Sequence, residues 1–217
     1  LSYLHGIMLN LTLIKLKKEL KMGFDLNGIN PKNVEIKKPK RPDNVYKLSD
    51  KEQEKYFRKE HKYLEQSGTY FRNNVWWWRP LAEYVIEHTK VINQDKITLE
   101  GWSSNSGFEV DDELATQIAN QLDALIKSGH TKKYQSAYML RFKQAEIGNA
   151  KIQKEIDKLD KLPRNKDLAP ADYNKKDNAE WNRLWHKQDR QASYPFSEKN
   201  VKEFSIFCRA SGGFNIC

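Results

Sequence analysis

The chain has 217 residues and a formal net charge of +9 at pH 7, and hydrophobic residues make up 38% of it. That length suits one domain, or one domain with appendages. The charge is uneven, because residues 1–63 hold 15 Lys and Arg against 8 Asp and Glu, while residues 64–217 hold 23 against 21. A nucleic-acid-binding domain usually carries its own basic face. The near-neutral remainder therefore argues against a nucleic-acid-binding core and leaves a basic arm open.

The first segment of the chain has the character of an addition to the protein. We predict that residues 1–21 are a possible upstream extension, because Met22 begins MGFDLNGINP, which is typical of a protein start. The apolar part of this segment ends at Ile14 and basic residues follow, which reverses the order of a secretory signal and is too short for a membrane span. Cys208 and Cys217 form no disulfide framework, so we expect a cytoplasmic protein without a membrane span.

A basic segment precedes the predicted domain. Residues 22–47 are predicted to form a basic arm or linker, because residues 31–47 contain three prolines and many lysines. Ser49 with Glu52 three positions later is a capping box, which predicts the start of a charged helix. Residues 48–217 are then expected to form a single helical domain.

Helical periodicity marks most of that domain. Asp111 or Asp112 caps the clearest helix, and its apolar residues recur on one face. They are Leu114, Ile118, Leu122, Leu125 and Ile126. Thr131 opens one long helix or two, which Pro163 stops, and the polar residues 163–180 are interpreted as a loop.

The end of the chain continues this pattern. A short amphipathic helix is predicted around residues 181–185, and a last helix follows Pro195. No alternating strand is predicted beyond short pieces such as residues 91–99. The fold class is therefore predicted to be mainly α, as a compact helical domain with long loops and an extended N-terminal arm.

The most unusual stretch is GTYFRNNVWWWRP, residues 68–80. Asn74 is a candidate cap for a helix that follows it. Neighbouring side chains point about 100° apart on a helix and to opposite faces on a strand, so Trp76, Trp77 and Trp78 cannot all face one core. At least one of them faces a partner, a ligand pocket or a second packing layer. A large aromatic core with surface arginines is the structural alternative.

Polar groups in and beyond this stretch suggest a ligand site. Arginine holds phosphate through planar donors, and aromatic rings stack on bases. The serine-rich loop at residues 101–107 adds small polar groups, and the SGGF turn permits close backbone approach to an anion. The predicted ligand-binding residues are Arg72, Trp76, Trp77, Trp78, Arg79, Ser104, Asn105, Gly212 and Gly213.

No motif for catalysis, a metal or a cofactor is present in the sequence. The five histidines lack metal-ligand spacing, and no GxSxG, P-loop or GxGxxG motif occurs. Cys208 is interpreted as a core residue on the last helix. We predict no catalytic residue, no metal site and no cofactor, and the sequence leans against an enzyme without deciding the question.

Several segments together resemble a known group of proteins. They are the MGFDLNGINP start, the YFRNNVWWWRPLAEYV block, the helix ending in IKSGH, and the closing SGGF with a terminal IC. These segments, within residues 22–217, resemble a family of small uncharacterised proteins encoded by bacteriophages, prophages and some bacteria. The resemblance implies no established activity. It does imply a setting in which small proteins often bind host molecules, including nucleotide signals of antiviral defence.

Two functional hypotheses follow. The first is a non-enzymatic phage protein that binds a small phosphorylated ligand and sequesters a nucleotide immune signal in the host cytoplasm. The second is an interaction protein that binds a host protein or nucleic acid through its aromatic surface and basic arm. Nucleic acid is the less favoured partner of the two. Assembly into a homo-oligomer is left open.

Overall fold

A computed structural model of the chain describes residues 23–89 and 99–217. Within these ranges there are seven α-helices and four short β-strands, so the predicted mainly α fold is confirmed. The predicted extension at residues 1–21, and nearly all of the predicted strand piece at 91–99, lie outside the described residues.

The helices and strands are numbered here in chain order. The strands are β1 (Gly23–Gly28), β2 (Tyr70–Asn74), β3 (Phe108–Val110) and β4 (Phe214–Ile216). The helices are α1 (Asp50–Leu64), α2 (Val75–His88), α3 (Leu99–Ser103), α4 (Asp112–Lys127), α5 (His130–Asp160), α6 (Lys175–Lys187) and α7 (Glu198–Ser211).

The chain divides into two compact units, which differs from the single domain expected over residues 48–217. The first unit comprises the described residues up to Gly129 together with Glu198–Cys217, and the second comprises His130–Ser197. The second unit is therefore an insertion in sequence between α4 and α7. These two helices pack against each other within the first unit.

The first unit is built on an antiparallel sheet that periodicity did not predict. Its strand order is β2-β1-β4-β3, so β1 lies inside the sheet, with Leu26 opposite Phe71 on one side and Ile216 on the other. The expected arm over residues 22–47 is thus corrected, since its first residues form an interior strand. β3 and β4 have only three residues each, too few to show alternation in sequence.

Aromatic rings fill the space between this sheet and its helices. Trp78 is fully buried and stacks on Phe24 and Trp102, with ring centroids 5.4 and 5.6 Å apart. Its indole Nε1 donates a hydrogen bond of 2.6 Å to the Trp102 carbonyl. Phe204 of α7 meets the Trp78 ring edge-on at 5.8 Å. Tryptophan pays for its size here by burying both its ring and its polar atom, as a core aromatic requires.

Local capping signals were read correctly from the sequence. The Glu52 carboxylate accepts hydrogen bonds from the Ser49 amide and hydroxyl, at 3.1 and 2.6 Å, and these bonds lower the pKa of Glu52. The Asn74 side chain accepts from the Trp77 amide at 3.1 Å. The Asp111 side chain likewise accepts from an amide in the first turn of α4. Each bond satisfies a backbone donor that would otherwise lack a partner.

The second unit is organised by the long helix α5. This helix is continuous, and the Tyr138 hydroxyl on it donates to the Tyr194 carbonyl at 2.8 Å. The predicted loop at residues 163–180 is wrong at its end, because α6 begins at Lys175. Asn174 caps that helix by accepting hydrogen bonds from the backbone amides of its first turn, a local signal that the polar composition concealed.

A buried carboxylate ties the linker of the second unit to α6. Asp177 is 3% exposed and accepts hydrogen bonds from Arg164 at 2.6 and 3.1 Å. It also accepts from the side-chain amides of Asn165 at 3.0 Å and Asn174 at 2.9 Å. The bonds from Arg164 are the main reason that the pKa of Asp177 falls to about 2.

This carboxylate predicts a specific acid sensitivity. Because the folded-state pKa lies below the unfolded value, its stabilisation is present above about pH 4 and is lost as the pH falls towards about 2. Thermal unfolding of the native protein should therefore weaken more steeply over that window than unfolding of Asp177→Asn, whose side chain does not titrate. Melting temperatures measured across the window test this. Parallel curves for the two proteins would contradict it.

Candidate functional site

The residues after β1 are anchored to the first unit. The backbone amides of Ile29 and Lys32 donate to the carbonyls of Gly213 and Ala210, at 2.8 and 2.7 Å. Further on, Gln66 holds Ile36 with two hydrogen bonds: its Oε1 accepts from the Ile36 amide at 2.7 Å, and its Nε2 donates to the Ile36 carbonyl at 2.8 Å. The proline-rich segment that follows Ile36 is thereby held at the end of α1.

Between this segment and α1 lies a cavity of about 510 Å³, which we call the lysine groove. Five lysines line it, two from the segment and three from α1. They are Lys37, Lys40, Lys55, Lys59 and Lys62. Its apolar lining comes from Ile36, Pro39, Pro42, Leu48 and Tyr56. The groove therefore combines a cationic rim with an apolar wall.

The lysines of the groove have little internal charge compensation. Glu52 is the one acidic residue of its lining, and its carboxylate is engaged by Ser49 at the start of α1. Tyr56 donates to the Glu60 carboxylate at 2.7 Å, and burial raises the pKa of the Tyr56 hydroxyl. Within the described part of the chain, none of the five lysines forms an ion pair. The groove thus presents an excess of positive charge.

A second cavity of about 500 Å³ lies along the same helix. It shares Lys55, Lys59 and Lys62 with the lysine groove, and Lys51 and Arg58 extend its cationic lining. The Arg58 guanidinium is paired with Glu54 at 2.6 Å, so the lysines carry its net charge. Three lysines of α1 therefore border two neighbouring cavities.

The three tryptophans occupy three different environments. Trp78 is in the core, Trp77 is half-buried, and Trp76 is 41% exposed. The Trp77 carbonyl accepts from the side chain of Asn200 at 3.4 Å, which also accepts from Asn73 at 3.0 Å. One of the three rings thus faces away from the core. Trp78 instead serves the aromatic core.

The two predicted arginines lie on different elements. Arg72 lies on β2, where its Nε is 3.6 Å from the Asp25 carboxylate, and the Tyr70 hydroxyl donates to the same carboxylate. Burial and this bond raise the pKa of Tyr70. Arg79 lies on α2 and is exposed. Arg72 is therefore already paired across the strands, whereas Arg79 projects from the helix surface.

The predicted loop residues lie next to the start of β1. Asn105 donates to the Gly23 carbonyl at 3.0 Å, and the Ser104 and Ser106 hydroxyls are 2.7 Å apart. A Cβ on Gly23 would lie 3.1 Å from the Arg72 guanidinium. The structure thus brings Asn105 and Arg72 to the same end of β1.

The glycines of the SGGF turn have a structural task. Gly212 and Gly213 are buried and adopt left-handed conformations, with φ of +61° and +88°. This confirms the prediction that one of them ends the last helix in that conformation. A Cβ on Gly212 would overlap the Asn30 carbonyl. The close approach that these glycines permit is therefore an approach of the chain to itself.

Other chemistry is sparse in the described residues. No group of three or more His, Cys, Asp and Glu side chains there is placed to hold a metal ion. Cys208 is fully buried, and its burial raises the pKa of the thiol well above its usual value. None of the helices in the described ranges has the length and apolar character needed to cross a membrane.

Sequence reasoning missed the lysine groove. Its signal was present as lysines at positions 51, 55, 59 and 62, which recur at helical spacing. The missing knowledge was that the segment after Ile36 lies against this helix. That contact depends on Gln66, 30 residues later in the chain.

Comparison with known proteins adds no relative. No protein-family model, no curated protein and no solved structure matches the chain. The resemblance to bacteriophage proteins stays a prediction, and the function has to be inferred from the residues of this chain.

Proposed function

We propose that the protein is a non-enzymatic binder of a small phosphorylated ligand of nucleotide type, which the lysine groove holds. The observation that carries this proposal is the surplus of lysines around one cavity, five against the single Glu52. Lysine ammonium groups bind phosphate as compact point charges with rotatable donors. An anionic ligand would supply the charge compensation that the groove lacks.

The size and wall of the groove support a nucleotide rather than a bare anion. Its volume of about 510 Å³ falls in the usual range for small-molecule sites, roughly 300–1,000 Å³. Pro39, Pro42 and Tyr56 offer apolar surface on which a flat base can be buried. The phosphates would then lie along the lysines of α1 and the base against the proline-rich segment.

The phage resemblance suggests a physiological form of this proposal. A phage protein that binds a nucleotide without converting it can lower the free concentration of a host immune signal by sequestration. This role requires tight binding and no catalysis, and it would operate in the host cytoplasm. It rests on the resemblance and on the lysine groove together.

Charge reversal in the groove provides the test. We expect the double variant Lys55→Glu with Lys59→Glu to bind a fluorescent ATP analogue at least about tenfold more weakly than the native chain, since it loses two charge-assisted contacts and gains repulsion. Fluorescence titration at fixed salt measures this. The matched control is Lys154→Glu with Lys158→Glu, which makes the same change at the same spacing on α5. Equal weakening in both variants would contradict the proposal.

The same titration decides between the groove and the predicted tryptophan site. If Arg72→Ala or Arg79→Ala weakens binding by about 1–3 kcal/mol while the lysine variant does not, the ligand lies at the tryptophan stretch. If only the lysine variant weakens binding, Arg72 and Arg79 have other tasks.

An interaction protein is the second candidate function. The exposed ring of Trp76 and the exposed Arg79, three positions later on α2, favour it, because tryptophan and arginine are enriched at protein interfaces. Mass spectrometry of protein purified from infected cells separates the candidates. A released nucleotide supports the first, and a co-purifying host protein that is lost in Trp76→Ala supports the second.

A further inference from the structure

We infer that the ligand of the lysine groove is a single strand of nucleic acid rather than a free mononucleotide. This inference rests on the proposed function and narrows its ligand class. It combines two features of α1 and its surroundings: a row of lysines longer than one nucleotide, and exposed aromatic rings beside it.

The lysine row is long enough for several phosphates. Lys51, Lys55, Lys59 and Lys62 span eleven residues of helix, which is about 16 Å at about 1.5 Å per residue. Phosphates in one strand of a stacked helix are spaced by about 3.4 Å along its axis, so the row matches up to about five of them. A mononucleotide would leave most of this row uncompensated.

The two cavities also favour a continuous ligand. They share the lysines at positions 55, 59 and 62, so a ligand in one lies against the same ammonium groups as a ligand in the other. A strand can follow these lysines from one cavity to the next without interruption. Its backbone would then neutralise both sides of the row at once.

Aromatic rings beside the row provide stacking surfaces for bases. Tyr46 is 71% exposed and Phe57 is 39% exposed, with ring centroids 6.5 Å apart. Phe57 also contacts Tyr56 of the groove, at 5.4 Å between centroids. Proteins that bind single strands combine a cationic track with aromatic rings on which unpaired bases stack. Inorganic polyphosphate has no group for these rings, and a duplex hides its bases from them.

A length series tests the inference. Binding of end-labelled thymidine oligonucleotides of two, four and eight units to the full chain is followed by fluorescence anisotropy, with unlabelled dTTP and inorganic tripolyphosphate as competitors. We expect affinity to rise with length up to four or more units. The plot of log affinity against log salt should have a slope near −3 for the longest strand, since each phosphate contact contributes about −0.7.

Two variants locate the contacts. Tyr46→Ala should weaken binding of the octanucleotide at least about fivefold and leave competition by tripolyphosphate unchanged, because only bases use the ring. Its side chain is largely exposed, so the fold should be retained, which circular dichroism checks. Lys55→Gln with Lys59→Gln should flatten the salt slope by about 1.4.

The possible failures are distinct. If dTTP binds as tightly as the octanucleotide and with the same salt slope, the strand is wrong and the proposed function stands. If tripolyphosphate binds as tightly as the octanucleotide and Tyr46→Ala has no effect, the bases are not recognised and the inference is overturned. If neither nucleotides nor oligonucleotides bind, both the inference and the proposed function fail.

Discussion

Replacing Trp78 with alanine is expected to lower the free energy of unfolding by about 3–5 kcal/mol, the usual cost of removing a large buried aromatic side chain. Its ring is fully buried and stacks on Phe24 and Trp102. Its hydrogen bond to the Trp102 carbonyl is lost as well, which leaves a buried acceptor without its partner. Urea unfolding followed by circular dichroism measures the change.

The neighbouring tryptophan is the control for this prediction. Trp76 belongs to the same helix and the same sequence run but is 41% exposed. Trp76→Ala should cost less than about 1 kcal/mol, as is usual for surface substitutions. Similar losses in the two variants would mean that the aromatic core is not centred on Trp78.

Gly212→Ala is expected to destabilise the protein by at least about 3 kcal/mol. The φ of +61° disfavours a side chain, and the added Cβ would overlap the Asn30 carbonyl, so backbone must shift. That shift would disturb the hydrogen bond from the Asn30 amide to the Ser211 carbonyl. Thermal and chemical unfolding of the variant measure the effect.

A second glycine isolates the steric part of this effect. Gly107 also has a positive φ, +82°, but nothing lies within 4 Å of the position of its Cβ. Gly107→Ala should therefore show only the conformational cost, about 1 kcal/mol. If Gly212→Ala were no worse than Gly107→Ala, the close packing of the turn against Asn30 would contribute nothing.

Local signals in the sequence were reliable where the interactions are local. The caps at Ser49, Asn74 and Asp111 depend on residues three positions away, and each was predicted. The sheet was missed because its strands are short and their partners are remote. Asp25 faces Arg72 across β1 and β2, and no local pattern of either strand contains the other.

The candidate site illustrates the same limit. The geometry of consecutive residues correctly implied that one tryptophan points away from the core, and Trp76 does so. Sequence could not show that Arg72 is paired with Asp25, or that Gln66 holds Ile36 against the end of α1. The lysine groove exists only because of that second contact, and so it required the structure.

The register of β1 also has a consequence for how the chain folds. Leu26 pairs with Ile216, about 190 residues later, and β4 supplies the interior of the sheet between β1 and β3. Closing so long a loop is entropically costly, and non-local pairing of this kind slows folding. The helices can form while the polypeptide is still being synthesised, but the sheet cannot be completed until residues 214–216 have left the ribosome. Assembly of the first unit is therefore a post-translational event.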